Sequence, residues 1–258
     1  MRHTTQQKHP LVSVITPTYN SARFIHNTIE SVQRQTYVNW EMIIVDDCSQ
    51  DHTIEIVKQY VSRDSRIRLI RFKENRGPAV ARNVAIEHAK GRYLAFLDGD
   101  DQWMPEKLEK QLRFMQDRQI AFSFTKYMKI TEDGKETNSI INIPEKVNYK
   151  QLLKHNVIGC LTVMLDVEMI GEVKMIDIRS RQDFALWLTL CKKGFTAYGL
   201  QEVLSKYRVV KGSVSSNKIK MAKQTWKVYR EIERLGLLKS IWYFVNYLYF
   251  SIKKYSMV

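Results

Sequence analysis

The sequence predicts an α/β fold, a mostly parallel central sheet with helices on both faces, and three observations carry that expectation. Short apolar runs rich in β-branched residues alternate with amphipathic helical stretches from Leu11 to Leu97. The runs are apolar nearly throughout, as in strands buried on both faces. Each run also ends in a polar cluster, the arrangement of parallel strands that present their carboxyl ends to a ligand.

Leu11-Val12-Ser13-Val14-Ile15-Thr16 reads as a buried strand stopped by Pro17. Ser21 then caps a helix over about Ala22 to Gln35, with Phe24, Ile25, Thr28, Ile29 and Val32 on one face. Trp40 to Val45 is a second strand and ends in Asp46-Asp47-Cys48-Ser49. The grammar repeats with helix Asp51 to Arg63, strand Ile67 to Phe72, helix Ala79 to Lys90 and strand Arg92 to Leu97. The second half is less regular: a helix beginning near Pro105, strands Ile120 to Ile130 and Lys135 to Ile143, and a short helix Tyr149 to His155. Strand Leu161 to Leu165, helix Asp183 to Lys193 and two further strands, Phe195 to Leu200 and Val203 to Val209, complete the sheet. Residues 1–10 form a polar leader, 11–212 the α/β domain and 213–258 a basic helical tail. Within the domain, 11–101 and 102–212 read as two halves.

Composition narrows the function. The 258 residues are 44% hydrophobic and 26% charged, a balance that excludes global disorder and a multispan membrane protein. The 41 Lys and Arg against 27 Asp and Glu give +14, which points to an anionic partner. Half of that charge lies in the tail, where nine Lys or Arg stand against two acids from Lys218 onward. There Trp226, Trp242, Tyr243, Phe244, Tyr247, Tyr249 and Phe250 are interleaved with the lysines. That is the composition of a helix lying in an anionic membrane interface, or of one packed on the domain. Ile241 to Ile252 is too short to span a bilayer. Cys48, Cys160 and Cys191 suggest neither disulfides nor zinc, and the polar N-terminus lacks the apolar stretch of a signal peptide, so a cytoplasmic location is expected.

The sharpest chemical signal is Asp98-Gly99-Asp100-Asp101, three carboxylates directly after the apolar run Tyr93 to Leu97. Alternate carboxylates can turn toward one divalent cation, which would relieve their repulsion and neutralise a diphosphate. The plainer alternative is an acidic turn ahead of a helix. Pro17-Thr18-Tyr19-Asn20, Asp46-Asp47 and Asn75-Arg76-Gly77 also fall just past strands, so four polar clusters are expected on one rim.

The order of these motifs resembles the family 2 glycosyltransferases of the GT-A fold over roughly Leu11 to Val210. The carriers are Pro17-Thr18-Tyr19-Asn20, Val45-Asp46-Asp47-Cys48-Ser49, Asn75-Arg76-Gly77-Pro78-Ala79-Val80-Ala81-Arg82-Asn83, Asp98-Gly99-Asp100, and Asp183 with Trp187. The resemblance implies an inverting transferase that moves a sugar from a UDP-sugar to a lipid-linked acceptor in cell-surface polysaccharide synthesis, such as teichuronic acid, at the inner face of the membrane.

It also implies roles. Asp98 and Asp100 hold Mg²⁺ or Mn²⁺, with Asp98 also at the ribose, and Asp101 accepts a sugar hydroxyl or orients the turn. Pro17, Tyr19, Asn20 and Asp47 surround the base, with Tyr19 stacking on it and Asp47 accepting its N–H; the alternatives are a loop aromatic and an N-cap. Gly77 allows close backbone approach and Arg82 steadies the diphosphate, unless Arg82 pairs with Glu87 or with a site carboxylate. Asp183 is the general base, or else caps its helix. Many relatives carry Glu-Asp where this chain has Gln182-Asp183. Cys48 stands where relatives have Gly, and a turn that tolerates a side chain is expected there. Two rivals remain. A nucleic-acid-binding module suits the tail but not the acidic rim, and a nucleotidyltransferase needs a basic Gly-rich N-terminal loop that Pro17 to Asn20 does not supply.

Overall fold

The four apolar runs of the N-terminal half form β1 (Val12–Thr18), β2 (Trp40–Asp46), β3 (Ile67–Arg71) and β4 (Tyr93–Phe96). The structure is a computed structural model that describes residues 9–210 and 218–256, with side chains through residue 251. It places these strands in the order β3-β2-β1-β4, all parallel. Helices α1 (Ile25–Gln33), α2 (Thr53–Val61) and α3 (Pro78–Glu87) make the crossovers. Both faces of the strands are buried because consecutive residues serve different cores. Val14, Met42 and Ile44 pack beneath α1 and α2, whereas Ile15, Ile43 and Val45 pack beneath α3.

Beyond β4 the chain continues through β5 (Gln102–Trp103), α4 (Lys107–Arg118), β6 (Phe122–Ile130), β7 (Glu136–Ile141), β8 (Lys146–Val147) and α5 (Tyr149–Lys154). Then come β9 (Met164–Asp166), α6 (Val167–Ile170), α7 (Gln182–Lys192) and β10 (Ala197–Arg208). The sheet extends as β4-β9-β6-β10-β5. Here it departs from the mostly parallel expectation. β9 runs antiparallel to both β4 and β6, which makes the sheet mixed. A three-residue strand carries too little pattern for its direction to be read from sequence.

Other boundaries shift for local reasons. Pro17 does not stop β1, which runs to Thr18 with Pro17 in register with Val45. Ser21 does not cap α1: the N-cap is Phe24, without a side-chain capping bond, and the Ser21 carbonyl accepts the Phe24 and Ile25 N–H groups in a turn ahead of the helix, which starts at Ile25. The strands expected at Phe195 to Leu200 and Val203 to Val209 are one strand, β10. The polar Gln201-Glu202 pair between them is an irregularity in its pairing with β6.

The tail forms α8 (Lys218–Lys227), a π turn at Val228–Ile232 and α9 (Leu237–Ser256). Its inner face packs on the domain. Tyr229 is fully buried with its hydroxyl donating to the Leu153 carbonyl at 2.6 Å, and Tyr243 and Phe244 lie against the same core. The Trp226 and Phe244 rings meet edge to face at 5.3 Å. The outer face is a bare apolar stripe of Leu238 (84% exposed), Ile241, Trp242 (61%), Val245 and Tyr249. No helix among the described residues is long and apolar enough to cross a membrane. The expected start of the tail at residue 213, the side chains of Lys253, Lys254 and Tyr255, and most of the polar leader lie outside the described residues.

Candidate active site

One hollow of about 1410 Å³ opens along the carboxyl ends of β1, β2 and β4 and extends under the second half of the chain. Its lining gathers Pro17, Tyr19, Asp47, Gly77, Arg82, Asp98, Asp100, Asp101 and Asp183. Of the residues expected to hold donor or metal or to act as base, only Asn20 is outside this lining. It works from behind: its backbone N–H donates to the Ser49 hydroxyl at 2.9 Å, and its side-chain oxygen accepts the Gln50 N–H at 2.8 Å. With Ser21 N–H on the Thr53 hydroxyl and Ala22 N–H on Asp51, these bonds join the loops after β1 and β2 into one wall. Tyr19 stands 48% exposed on that wall and lines the hollow.

Asp47 does not cap the helix that follows it. Its two oxygens accept the backbone N–H groups of Arg76 (2.6 Å) and Gly77 (2.9 Å), tying the loop after β3 to the end of β2. The N-cap of α2 is His52, without a side-chain capping bond, and Asp51 just before it accepts the Thr53 N–H at 3.1 Å. Gly77 has φ +89 and leads directly into Pro78 at the start of α3, a conformation that explains glycine there. Cys48 contradicts the expectation of a tolerant turn, since its φ is +66. A side chain in the left-handed region costs roughly 1–2 kcal/mol. The surrounding bonds, including Asp46 to the Ser49 N–H at 3.0 Å, hold it there.

The acidic turn rests on close packing. A Cβ on Gly99 would lie 2.7 Å from the Thr18 hydroxyl oxygen, so only glycine lets this turn lie against β1. Arg82 is 4% exposed and forms an ion pair with Asp98, resolving its alternatives in favour of a site carboxylate rather than Glu87. Burial alone would lower the Arg82 pKa; the charge of Asp98, with smaller contributions from Cys160 and Asp183, raises it above the ordinary value. Its Nε and Nη1 are buried and unpartnered, which leaves two donors available for an anion.

Arg208, at the end of β10, was not singled out in the sequence. Its Nε donates to the Asp100 carbonyl at 2.8 Å and its backbone N–H to the Asp101 carboxylate at 2.8 Å. Asp101 is 2% exposed, and burial, then the charges of Asp100 and Asp98, push its pKa well up. Its placement suits orientation of the turn. Two guanidiniums therefore share the work of offsetting three carboxylates, a task the sequence had suggested for a cation alone. The signal for Arg208 was its position at the carboxyl end of a late strand.

Asp100 remains short of positive charge. Its pKa is raised to about 6 by burial and by the nearby charge of Asp98. A pair of neighbouring carboxylates, one ion-paired with an arginine and the other displaced toward protonation, suits Mg²⁺ or Mn²⁺, which commonly take one or two carboxylates and complete their shell with phosphate oxygens and water. Among the described residues no cluster of three or more His, Cys, Asp or Glu side chains is placed to hold a metal, so phosphate would have to complete such a shell.

Asp183 lies in the first turn of α7 but does not cap it. The N-cap is Arg181, at φ +66, with no side-chain capping bond. Asp183 is half-buried and faces the same hollow as Asp98 and Asp100, and its charge acts on both Arg82 and Cys160. Trp187, one turn on, is fully buried and meets Phe96 at 5.6 Å and Phe122 at 5.3 Å, fixing α7 to the sheet.

Comparison with known proteins follows this geometry. Residues 13–167 match the model of Glycosyl transferase family 2. A Bacillus subtilis (strain 168) protein named as a teichuronic acid biosynthesis glycosyltransferase, TuaG, is 55% identical over 245 residues, covering 95% of this chain and 97% of its own. An Escherichia coli protein named as a UDP-Glc:alpha-D-GlcNAc-diphosphoundecaprenol beta-1,3-glucosyltransferase, WfgD, is 39% identical over 250 residues, covering 95% of each. Among solved structures, S. aureus TarS 1-349 in complex with UDP-GlcNAc superposes with a TM-score of 0.71 at 20% identity, over 92% of this chain and 71% of that one. The mannosyltransferase PcManGT from Pyrobaculum calidifontis, in complex with GDP-Man and Mn²⁺, gives 0.67 at 20%, over 88% and 65%. At such identities the likeness is one of fold, and the shared fold is GT-A.

Proposed function

The chain belongs to glycosyl transferase family 2, and we propose that it is an inverting, metal-dependent enzyme that transfers a sugar from a UDP-sugar to a lipid-linked acceptor in cell-surface polysaccharide synthesis. The observation that carries this reading is the single hollow shared by Asp47, Asp98, Asp100 and Asp183. Tyr19 would stack on the uracil ring, and Asp47 would accept its imide N–H through lone pairs left over from the Arg76 and Gly77 bonds. The free Nε and Nη1 of Arg82 would hold the diphosphate by charge-assisted hydrogen bonds. Asp98 and Asp100 would hold Mg²⁺ or Mn²⁺, which supplies Lewis-acid neutralisation of the departing diphosphate. Asp183 would take the proton of the acceptor hydroxyl as that oxygen attacks the anomeric carbon from the face opposite the leaving group, so one displacement inverts the configuration.

The acceptor reading draws on WfgD, whose name specifies a diphosphoundecaprenol substrate, and on TuaG. The outer stripe of α9 and the basic charge of the tail support peripheral contact with an anionic membrane at its cytoplasmic face, where nucleotide sugars are made. The test is incubation with a panel of UDP-sugars and Mn²⁺ without acceptor. Slow UDP release that a chelator abolishes is expected, and no release from any donor would refute the donor class.

A further inference from the structure

Three consecutive polar side chains just ahead of Asp183 have no partner for an atom that is buried. They are the Ser180 hydroxyl, Arg181 Nε and the Gln182 side-chain carbonyl. Ser180 is 5% exposed and Gln182 7%, and both line the hollow. Buried polar atoms are nearly always paired, so three in a row mark a place where something polar belongs. Arg181 sits at φ +66, the kind of backbone strain that persists where a site requires it. Arg179 and Lys220 line the same hollow, which therefore carries basic side chains besides the Arg82 and Arg208 that offset the Asp98 to Asp101 turn.

The chemistry of the three atoms is ordered. Ser180 and Arg181 Nε can donate, Gln182 oxygen can only accept, and Asp183 next to them accepts a proton. A sugar diphosphate presents the complementary order: phosphate oxygens that accept, then ring hydroxyls that donate, one of which reacts. The chain beyond extends that order, because Arg181 Nη2 donates to the Tyr247 hydroxyl of α9 at 2.9 Å, and α9 bears the exposed apolar stripe. From base to arginine to apolar helix, the protein lays out the sequence hydroxyl, diphosphate, lipid. The donor diphosphate has its own partners in Arg82 and the Asp98-Asp100 pair.

We propose that Arg179, Ser180 and Arg181, with Lys220, form an anion subsite for the diphosphate of the acceptor, while Gln182 receives a hydroxyl of the sugar attached to it. This rests on the functional reading above, and the test separates the two. Decyl diphosphate, decyl phosphate and decanol are titrated by calorimetry into the full chain saturated with UDP and Mg²⁺. Wild type is expected to bind decyl diphosphate in the presence of UDP, decyl phosphate more weakly and decanol least. Arg179→Gln and Ser180→Ala should each weaken decyl diphosphate several-fold, and Arg181→Gln about tenfold or more, as charge-assisted bonds do. Arg179 is exposed, so its variant tests the subsite even if Arg181→Gln disturbs the start of α7. Unaltered affinity in both arginine variants, or displacement of decyl diphosphate by UDP, would overturn the subsite. Failure of the wild type to bind UDP at all would instead overturn the functional reading on which it stands.

Discussion

The Arg181 guanidinium donates to the Tyr247 hydroxyl at 2.9 Å and lies over the same ring at 5.5 Å, so the C-terminal helix holds the residue two positions before Asp183. Tyr247→Phe removes the hydrogen bond and keeps the ring. It should cost about 1 kcal/mol of stability. A several-fold rise in acceptor KM with unchanged UDP affinity is expected, measured by steady-state transfer and UDP titration.

The outer stripe of α9 should carry lipid contact separately from the inner packing. Truncating the tail would strip Tyr243 and Phe244 from the core, so substitutions on the exposed face test lipid contact more cleanly. Trp242→Ser with Val245→Ser should lower partitioning onto anionic vesicles at least tenfold, since each apolar side chain buried contributes about 2 kcal/mol. Donor hydrolysis in solution should not change, and unchanged partitioning would remove the stripe from the membrane account.

Gly99 is required by its contact with Thr18. Gly99→Ala should cost roughly 1–3 kcal/mol through overpacking and weaken UDP binding by displacing the flanking aspartates. Adding Thr18→Ala should recover part of the thermal stability, because it removes the oxygen 2.7 Å from the added Cβ.

Lys107 gives a pH signature away from the site. It is fully buried, with Nζ donating to Gln111 at 2.8 Å and lying 4.1 Å from the Trp103 ring centroid, and burial lowers its pKa from 10.5 to about 7. Between those values the unfolded chain holds a proton that the folded chain lacks, so this group makes stability rise with pH from about 7 to 10.5, with its full penalty below 7. Lys107→Met should therefore be more stable than wild type at pH 6, by thermal melts, and the advantage should shrink toward pH 10.

The N-terminal half was legible because its strands are long, apolar on both faces and separated by full helices, so period and polar clusters agree. The rim residues followed from that topology. What sequence reading missed depends on contacts between distant segments: the antiparallel β9, the continuity of β10 through Gln201-Glu202, Arg208 clasping the acidic turn, and the unpartnered Ser180 to Gln182 run. The left-handed backbone at Cys48 was missed because a side chain there is uncommon and the network that holds it is not local.

The division of labour between Asp100 and Asp183 is tested most directly by titrating UDP, with and without Mn²⁺, into wild type, Asp100→Asn and Asp183→Asn. Mn²⁺ should strengthen UDP binding to wild type and to Asp183→Asn alike, and should have no effect on Asp100→Asn. Mn²⁺-dependent UDP binding retained by Asp100→Asn, or lost by Asp183→Asn, would contradict the account.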